Sequence, residues 1–467
     1  MSDARFVAFL ILLPGLLFAR IIEVPGDQGT IQQAIHTAES GDTVLVHPGV
    51  YVENIDFEGK SIVVGSLFVT TGDPHWVDST VIDGDRTGES VVVIRDVGGE
   101  DAFLIGMTVR NGMAQFGGGI ECNGSVATIE RCAVRGNTAI QYGGGIACIE
   151  SAVFINHCTV RDNETDNGGG GGVYCDGSTL AILYSDISYN STDIIDGGGI
   201  YSRDSNPYIT NCTIAMNSVD AHGGGIFCRE ASDVIVTNTI LWGNLPQQVW
   251  IWEDNRVTVG YSDVEGGEGE VVTDNPEAYL RWQEGNIDLP PRFADAEGGD
   301  LHLTWANFPV DDRTKSPCID SGDPDSFGDP DLTRADMGGF YFPQRPAISV
   351  QPEALEFTGG RVGQMDWLEV NIVNAGGEAL RIASQTIIPE ESPFVVGHGG
   401  GEVDIRPDEL HQTWVRFFPP NADLYRAVLR IESNDIDRPV VEVDISCLLY
   451  TSPSPRDLST SRMPSSA

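Results

Sequence analysis

The tripeptide Gly-Gly-Gly followed by Ile or Val begins at Gly117, Gly143, Gly170, Gly197 and Gly223, in steps of 26, 27, 27 and 26 residues. A second column keeps the same clock at Asn137, Asn163, Asn190, Asn217 and Asn244. Three residues before each Asn stands an aliphatic side chain: Val134, Val160, Ile187, Ile214 and Leu241. Such self-similarity means that one short unit buries its apolar face by stacking on the next. The segments between turns are β-branched and alternating, as in Ala152-Val153-Phe154-Ile155. Helical repeats would need long stretches of 3.6-residue periodicity, and Gly and Asn at this density oppose them. A leucine-rich ladder is absent. What remains is a solenoid of short parallel strands, each coil rising about 4.8 Å above the last.

In such a solenoid the columns acquire roles. Gly triplets permit positive φ where a Cβ would collide with the coils above and below. Asn at a fixed turn position tolerates the left-handed region and can bond its amide to the next coil. Cysteine follows the period as well: Cys122, Cys148, Cys175 and Cys228 form one column, with Ser202 interrupting it. Cys132, Cys158 and Cys212 form another, interrupted by Ser185. The total of 9 is odd, and neighbours in parallel strands hold their Cβ atoms farther apart than a good bridge prefers. They read as small inward-facing fillers, with a disulfide or metal role as the alternative.

Ahead of the repeats, Thr30 caps an amphipathic stretch, Ile31-Gln32-Gln33-Ala34-Ile35 to Ala38, which predicts a short helix over the open end of the coil. The runs Val44-Leu45-Val46, Ile62-Val63-Val64 and Val91 to Ile94 predict the first, less regular coils. The chain has 467 residues, too many for one ordinary core. It carries 27 basic against 69 acidic residues, a net charge of -42. That surface repels nucleic acid and anionic membranes and suits an extracellular medium. Arg5 and the apolar run Phe6 to Phe18, then Ala19, predict a signal peptide over residues 1–19 and bacterial-type export to the cell surface or medium. No later segment is apolar enough to predict a transmembrane helix.

Ile31-Gln32-Gln33-Ala34-Ile35, Gly41-Asp42-Thr43-Val44, Pro48-Gly49-Val50-Tyr51 and Thr80-Val81-Ile82-Asp83-Gly84, together with the Gly and Asn columns, resemble the pectin-lyase-like superfamily. In particular they resemble its secreted right-handed β-helix repeat proteins. The resemblance covers about residues 20 to 340. It implies a right-handed parallel β-helix over residues 20–300, with a stacked amide ladder supplied by the Asn column. The opening is also similar to that of pectin methylesterases. The acidic, Gln or Arg motifs of the superfamily's working enzymes are not found in the coil region, so the resemblance carries fold rather than activity. Ser316-Pro317-Cys318-Ile319-Asp320 and Arg334-Ala335-Asp336-Met337-Gly338 resemble a recurring end-piece of these repeat proteins. Residues 301–345 are expected to close the far end of the solenoid.

After Pro346 the strands lengthen, as in Leu368-Glu369-Val370-Asn371-Ile372 and Val428-Leu429-Arg430-Ile431. Some seven such runs over residues 346–446 predict an immunoglobulin-like β-sandwich. Through Phe418-Pro419, Ala427-Val428-Leu429 and Ser433-Asn434-Asp435 it resembles the abnormal-spindle and hydin family of binding or spacer modules. Residues 447–467 resemble translated sequencing-adapter DNA and read as an artefactual or disordered tail.

Chemistry is sought where a charged column lacks a structural excuse. Asp166, Asp193 and Asp220 each follow a column Asn by three residues. Stacking would set them about 5 Å apart, repelling by about 1 kcal/mol per pair in water. Bound calcium would reverse that repulsion; splayed, solvated carboxylates are the other reading. Trp250 and Trp252 could stack on sugar rings or mark one face of a strand. No catalytic residue is singled out. The expectation is a non-catalytic secreted or surface protein binding glycans or a surface partner. The alternative is a divergent polysaccharide lyase or hydrolase of the same superfamily, with calcium as the possible cofactor.

Overall fold

The computed structural model describes residues 19–98, 101–194, 196–273, 275, 278–308, 310–331, 333–357, 362–407 and 409–448. Residues 1–18 of the signal peptide expected over 1–19, and the tail from 449 onward, lie outside them. Two compact units divide at Tyr341 and Phe342, a few residues ahead of the boundary expected at 345.

The first unit is a parallel β-solenoid. Each coil visits three long sheets in turn: a first of eleven strands, from Ile21–Val24 to Tyr279–Trp282, and a second and a third of nine each. The second runs from Gly49–Val52 to Asp263–Val264, the third from Ile55–Asp56 to Val271–Thr273. A short fourth sheet of five strands, from Met113–Phe116 to Ser218–Val219, lies between the second and third in each middle coil. Successive strands pair in register, so Cys122, Cys148, Cys175, Ser202 and Cys228 are neighbours, as are Val134, Val160, Ile187, Ile214 and Leu241. Both columns are fully buried in one continuous core. Periodicity in the sequence is here periodicity in space.

The Asn column forms a buried ladder. Each Nδ2 donates to the Oδ1 of the next coil at 3.0 Å, from Asn137 through Asn163, Asn190 and Asn217 to Asn244. The same amide also donates to the backbone of the preceding coil, as Asn190 Nδ2 does to Val160 O at 2.9 Å. One expectation is corrected: these Asn do not occupy the left-handed region. The residue before each does, at Gly136, Asp162, Tyr189, Met216 and Gly243. Left-handed geometry there turns the chain and aims the following amide inward.

All nine cysteines are free and buried. Of the two solenoid columns, the Cys122 column fills the inner face of strands. Cys132 and Cys158 stand in turns instead, where the Cys132 N–H donates to Cys158 Sγ at 3.4 Å and the Cys158 N–H to Ser185 Oγ at 3.0 Å. This explains why Ser replaces Cys there: both accept a backbone hydrogen bond. A third such ladder, not anticipated, runs through Ser125, Ser151, Ser178, Ser205 and Ser232.

At the N-terminal end the helix Ile31–Thr37 buries Ile31, Ala34 and Ile35, with Thr30 Oγ1 accepting from Gln33 N at 3.1 Å. The Glu53 carboxylate accepts from the free N–H groups of Ile31 and Gln32, both at 3.0 Å. That capping ties the helix to the coil it covers.

The segment expected to close the far end also packs along the side of the solenoid. The described residues of this strap, 287–308, 310–331 and 333–341, run back along the outer face of the second sheet. Arg161 donates to Gly299 O at 3.2 Å, and Tyr189 to Ala296 O. Asn211 donates to Asp336 O at 3.1 Å, and the Gly339 N–H to Thr213 Oγ1 at 3.0 Å. The reason is chemical: the outward column of that sheet carries Asp186, Thr213, Ile240 and Asp263, and it is buried under this strap.

The second unit holds nine strands in two sheets, antiparallel except where Ala354–Phe357 runs parallel to Val440–Leu448. The inner faces share one core, in which Phe394 and Phe417 stack at 4.5 Å beside Phe357. The final strand includes Cys447, which is buried, so the tail read from 447 begins inside the last strand.

Candidate functional site

The outer face of the third sheet gathers most of the chemistry. Its first outward column reads Val93, Glu121, Ala147, Tyr174, Tyr201, Phe227 and Trp250, paired in register. The second reads Arg95, Asn123, Ile149, Asp176, Arg203 and Arg229.

Aromatic rings from this face, from the ends of fourth-sheet strands and from the turn at Trp252 form a ladder. Phe116 and Tyr142 lie 6.2 Å apart, Tyr142 and Tyr174 4.5 Å, Tyr174 and Tyr201 5.5 Å, and Tyr201 and Phe227 5.0 Å. Phe227 continues to Trp252 at 6.4 Å. The middle rings are buried, while Phe116 and Tyr142 at one end and Trp250 and Trp252 at the other are half-exposed. The Gly-rich segment around Gly169 packs directly on the Tyr201 ring, where a Cβ would come within 2.4 Å. Gly169, just ahead of the triplet at Gly170, thus lets backbone lie over this ring.

Charged groups flank the rings as a linked chain. Tyr174 donates to Asp176 at 3.0 Å, Asp176 lies 3.5 Å from Arg203, and Arg203 donates to Glu230 at 2.7 Å. Glu230 also pairs with Arg229 at 2.8 Å, and Arg229 reaches Tyr201 Oη at 3.4 Å. Burial pushes the Tyr201 hydroxyl up to about 12 and raises that of Tyr174 further. Neither phenol is placed to act as a base near neutrality.

At the N-terminal end of this face lies a cleft of about 470 Å³, lined by Asn54, Asp56, Ser90, Gln115, Phe116 and the Arg95–Glu121 pair, among others. Glu121 accepts from Arg95 through both oxygens, at 3.3 and 2.6 Å, which raises the arginine pKa and holds the two side chains in a bidentate pair. Gln32 Oε1 accepts from the Asp56 N–H at 2.7 Å and so braces the strand bearing Asp56. These residues come from coils of irregular length and form no local motif, which is why sequence reasoning missed them.

At the C-terminal end, His222 Nδ1 lies 2.8 Å from Asp196 Oδ1, and its ring packs on Trp250 at 4.2 Å and near Trp252 at 6.3 Å. The two tryptophans expected to bind ligand thus share a cluster with a His–Asp pair. The acidic column is placed differently. Asp166, Asp193 and Asp220 each follow directly on a strand of the short fourth sheet, in register. Asp166 is half-buried; Asp193 and Asp220 are exposed. Among the described residues no group of three or more His, Cys, Asp or Glu side chains is placed to hold a metal ion.

Residues 90–264 match the family model described as "Right handed beta helix region". With the stacked coils, this defines a right-handed β-helix repeat protein. No curated protein matches the chain. Among solved structures it is similar to a pectin methylesterase variant in complex with a hexasaccharide, at 11% identity and a TM-score of 0.23, covering 60% of this chain and 94% of that one. It is also similar to the enzymatically active domain of tailspike protein 2 of bacteriophage CBA120, at 9% identity and 0.24, covering 91% and 74%. The ASH/PapD-like domain of human CEP192 is similar at 10% identity and 0.19, covering 22% and 86%. Likeness at these scores carries no argument about activity. Among the described residues no helix is long and apolar enough to cross a membrane.

Proposed function

We propose that this is an exported protein whose third-sheet face binds an extended glycan without turning it over. The observation that carries this reading is the aromatic ladder, which emerges as half-exposed rings at both ends and meets an open polar cleft at one of them. Flat rings beside hydrogen-bonding groups suit sugars, which offer apolar C–H faces and hydroxyl edges. Against catalysis, both Glu121 oxygens are taken up by the Arg95 guanidinium, and burial keeps the Tyr201 phenol protonated near neutrality. The second unit, on its resemblance to abnormal-spindle and hydin modules, acts as an Ig-like spacer or accessory binding module.

The rival reading, a divergent polysaccharide lyase or hydrolase, draws on Asp56 beside the Arg95–Glu121 pair in the same cleft. Incubation with polyuronates and neutral glycans, with and without calcium, separates the two. Binding without new reducing ends or unsaturated product supports the first. Turnover lost in Asp56→Asn and Glu121→Gln variants establishes the second. Calcium acting through Asp166, Asp193 and Asp220 predicts binding that a chelator abolishes and that changing all three to Asn abolishes too.

A further inference from the structure

The strap of residues 287–341 seals two carboxylates against the second sheet. Asp263 is completely buried. Its Oδ2 accepts from the Cys318 thiol at 3.1 Å and its Oδ1 from the Leu289 N–H at 3.1 Å, both partners belonging to the strap. Asp186 lies three coils away in the same outward column, beneath Gly339, and is also buried. Its Oδ2 accepts from Ser188 Oγ at 2.9 Å, and its Oδ1 has no hydrogen-bond partner.

The charged and titratable groups around them offer little compensation. Asp186 faces Arg161, which favours the anion without bonding to it, and Asp162, Tyr189 and Cys212, which do not. Asp263 faces Asp288, Glu265 and Cys318, and among the described residues no cation pairs with it. A carboxylate sealed from water without a cationic partner is costly, whereas the neutral acid is tolerated.

From this geometry we infer that the strap is an acid-set clamp, held against the second sheet by Asp186 and Asp263 in their neutral form and loosened when they ionise. Burial lifts both groups to about 7, which is the direction the geometry requires. Ionisation leaves the coils themselves intact, because their ladders of Asn, Ser and Cys are uncharged. The strap opens first, baring Thr213 and Ile240, now buried beneath it.

Hydrogen exchange on the full chain tests this, with protection in 287–341 corrected for intrinsic rates and compared with the coil strands at about pH 5 and about pH 8.5. We expect strap protection to fall about tenfold or more at the higher pH while coil protection holds. The Asp186→Asn/Asp263→Asn double variant should keep the strap closed at both values. Equal strap protection at both pH values, coils opening together with the strap, or a double variant that keeps the wild-type drop would each overturn the inference. Should the variant fail to fold, the wild-type series alone decides.

Discussion

Asn163 donates its side-chain amide to Asn190 Oδ1 at 3.0 Å, while Asn190 Oδ1 also accepts the Asn163 backbone N–H at 3.1 Å. One oxygen thus satisfies two buried donors of the coil before it. Asn190→Leu would strand both and leave Asn217 Oδ1 without the Asn190 amide. We expect a loss of about 3 kcal/mol, since each stranded buried donor costs about 1–3 kcal/mol. Urea unfolding of wild type and variant measures it.

Gly171 is a second point where coils leave no room. A Cβ there would lie 2.4 Å from Ser191 O and 2.7 Å from Gly198 O, both backbone atoms of the next coil. Gly171→Ala should cost about 2 kcal/mol or more. Gly98→Ala, where nothing among the described residues lies within 4 Å, should be near neutral. Paired melting curves make the comparison.

The cysteines give a prediction about covalent state. All nine are free and buried, and burial raises the thiol pKa of Cys175 to about 11 and of Cys212 to about 12. Protein purified without reductant should titrate nine thiols once denatured and almost none while folded. A count reduced by two per bridge would show disulfides instead.

Asp186 makes stability depend on pH. Its folded pKa of about 7 lies above the ordinary 3.8. The unfolded chain therefore releases this proton first as pH rises, and stability falls between about 4 and about 7, then levels off. Asp186→Asn should match wild type near pH 4 and exceed it above pH 7 by on the order of 4 kcal/mol. Denaturant midpoints at the two ends of that window test the sign.

The solenoid was legible because stacking turns a period in sequence into a row in space: Gly171, Asn190 and Cys175 each announce their neighbours one period away. The Ser151–Ser178 ladder kept the same clock and could have been read in the same way. The left-handed residue escaped notice because Asp162, Tyr189 and Met216 share no side-chain chemistry, only a backbone angle. The strap and the cleft were illegible for a different reason. Arg161 meets Gly299 across 138 residues, and Asp56, Arg95 and Glu121 converge from coils whose lengths differ. No period links such pairs, so only the folded chain brings them together.

The claim that the third-sheet face is a glycan platform is tested most directly by calorimetric titration of wild type and a Trp250→Ala/Trp252→Ala variant with the polysaccharide that binds best. These rings are half-exposed, and Trp250 packs on His222 at 4.2 Å. The account predicts that affinity falls about tenfold or more, from loss of about 1–2 kcal/mol of ring contact, with the melting temperature little changed. Unchanged affinity in a folded variant, or no binding by wild type across neutral and acidic polysaccharides, would contradict it.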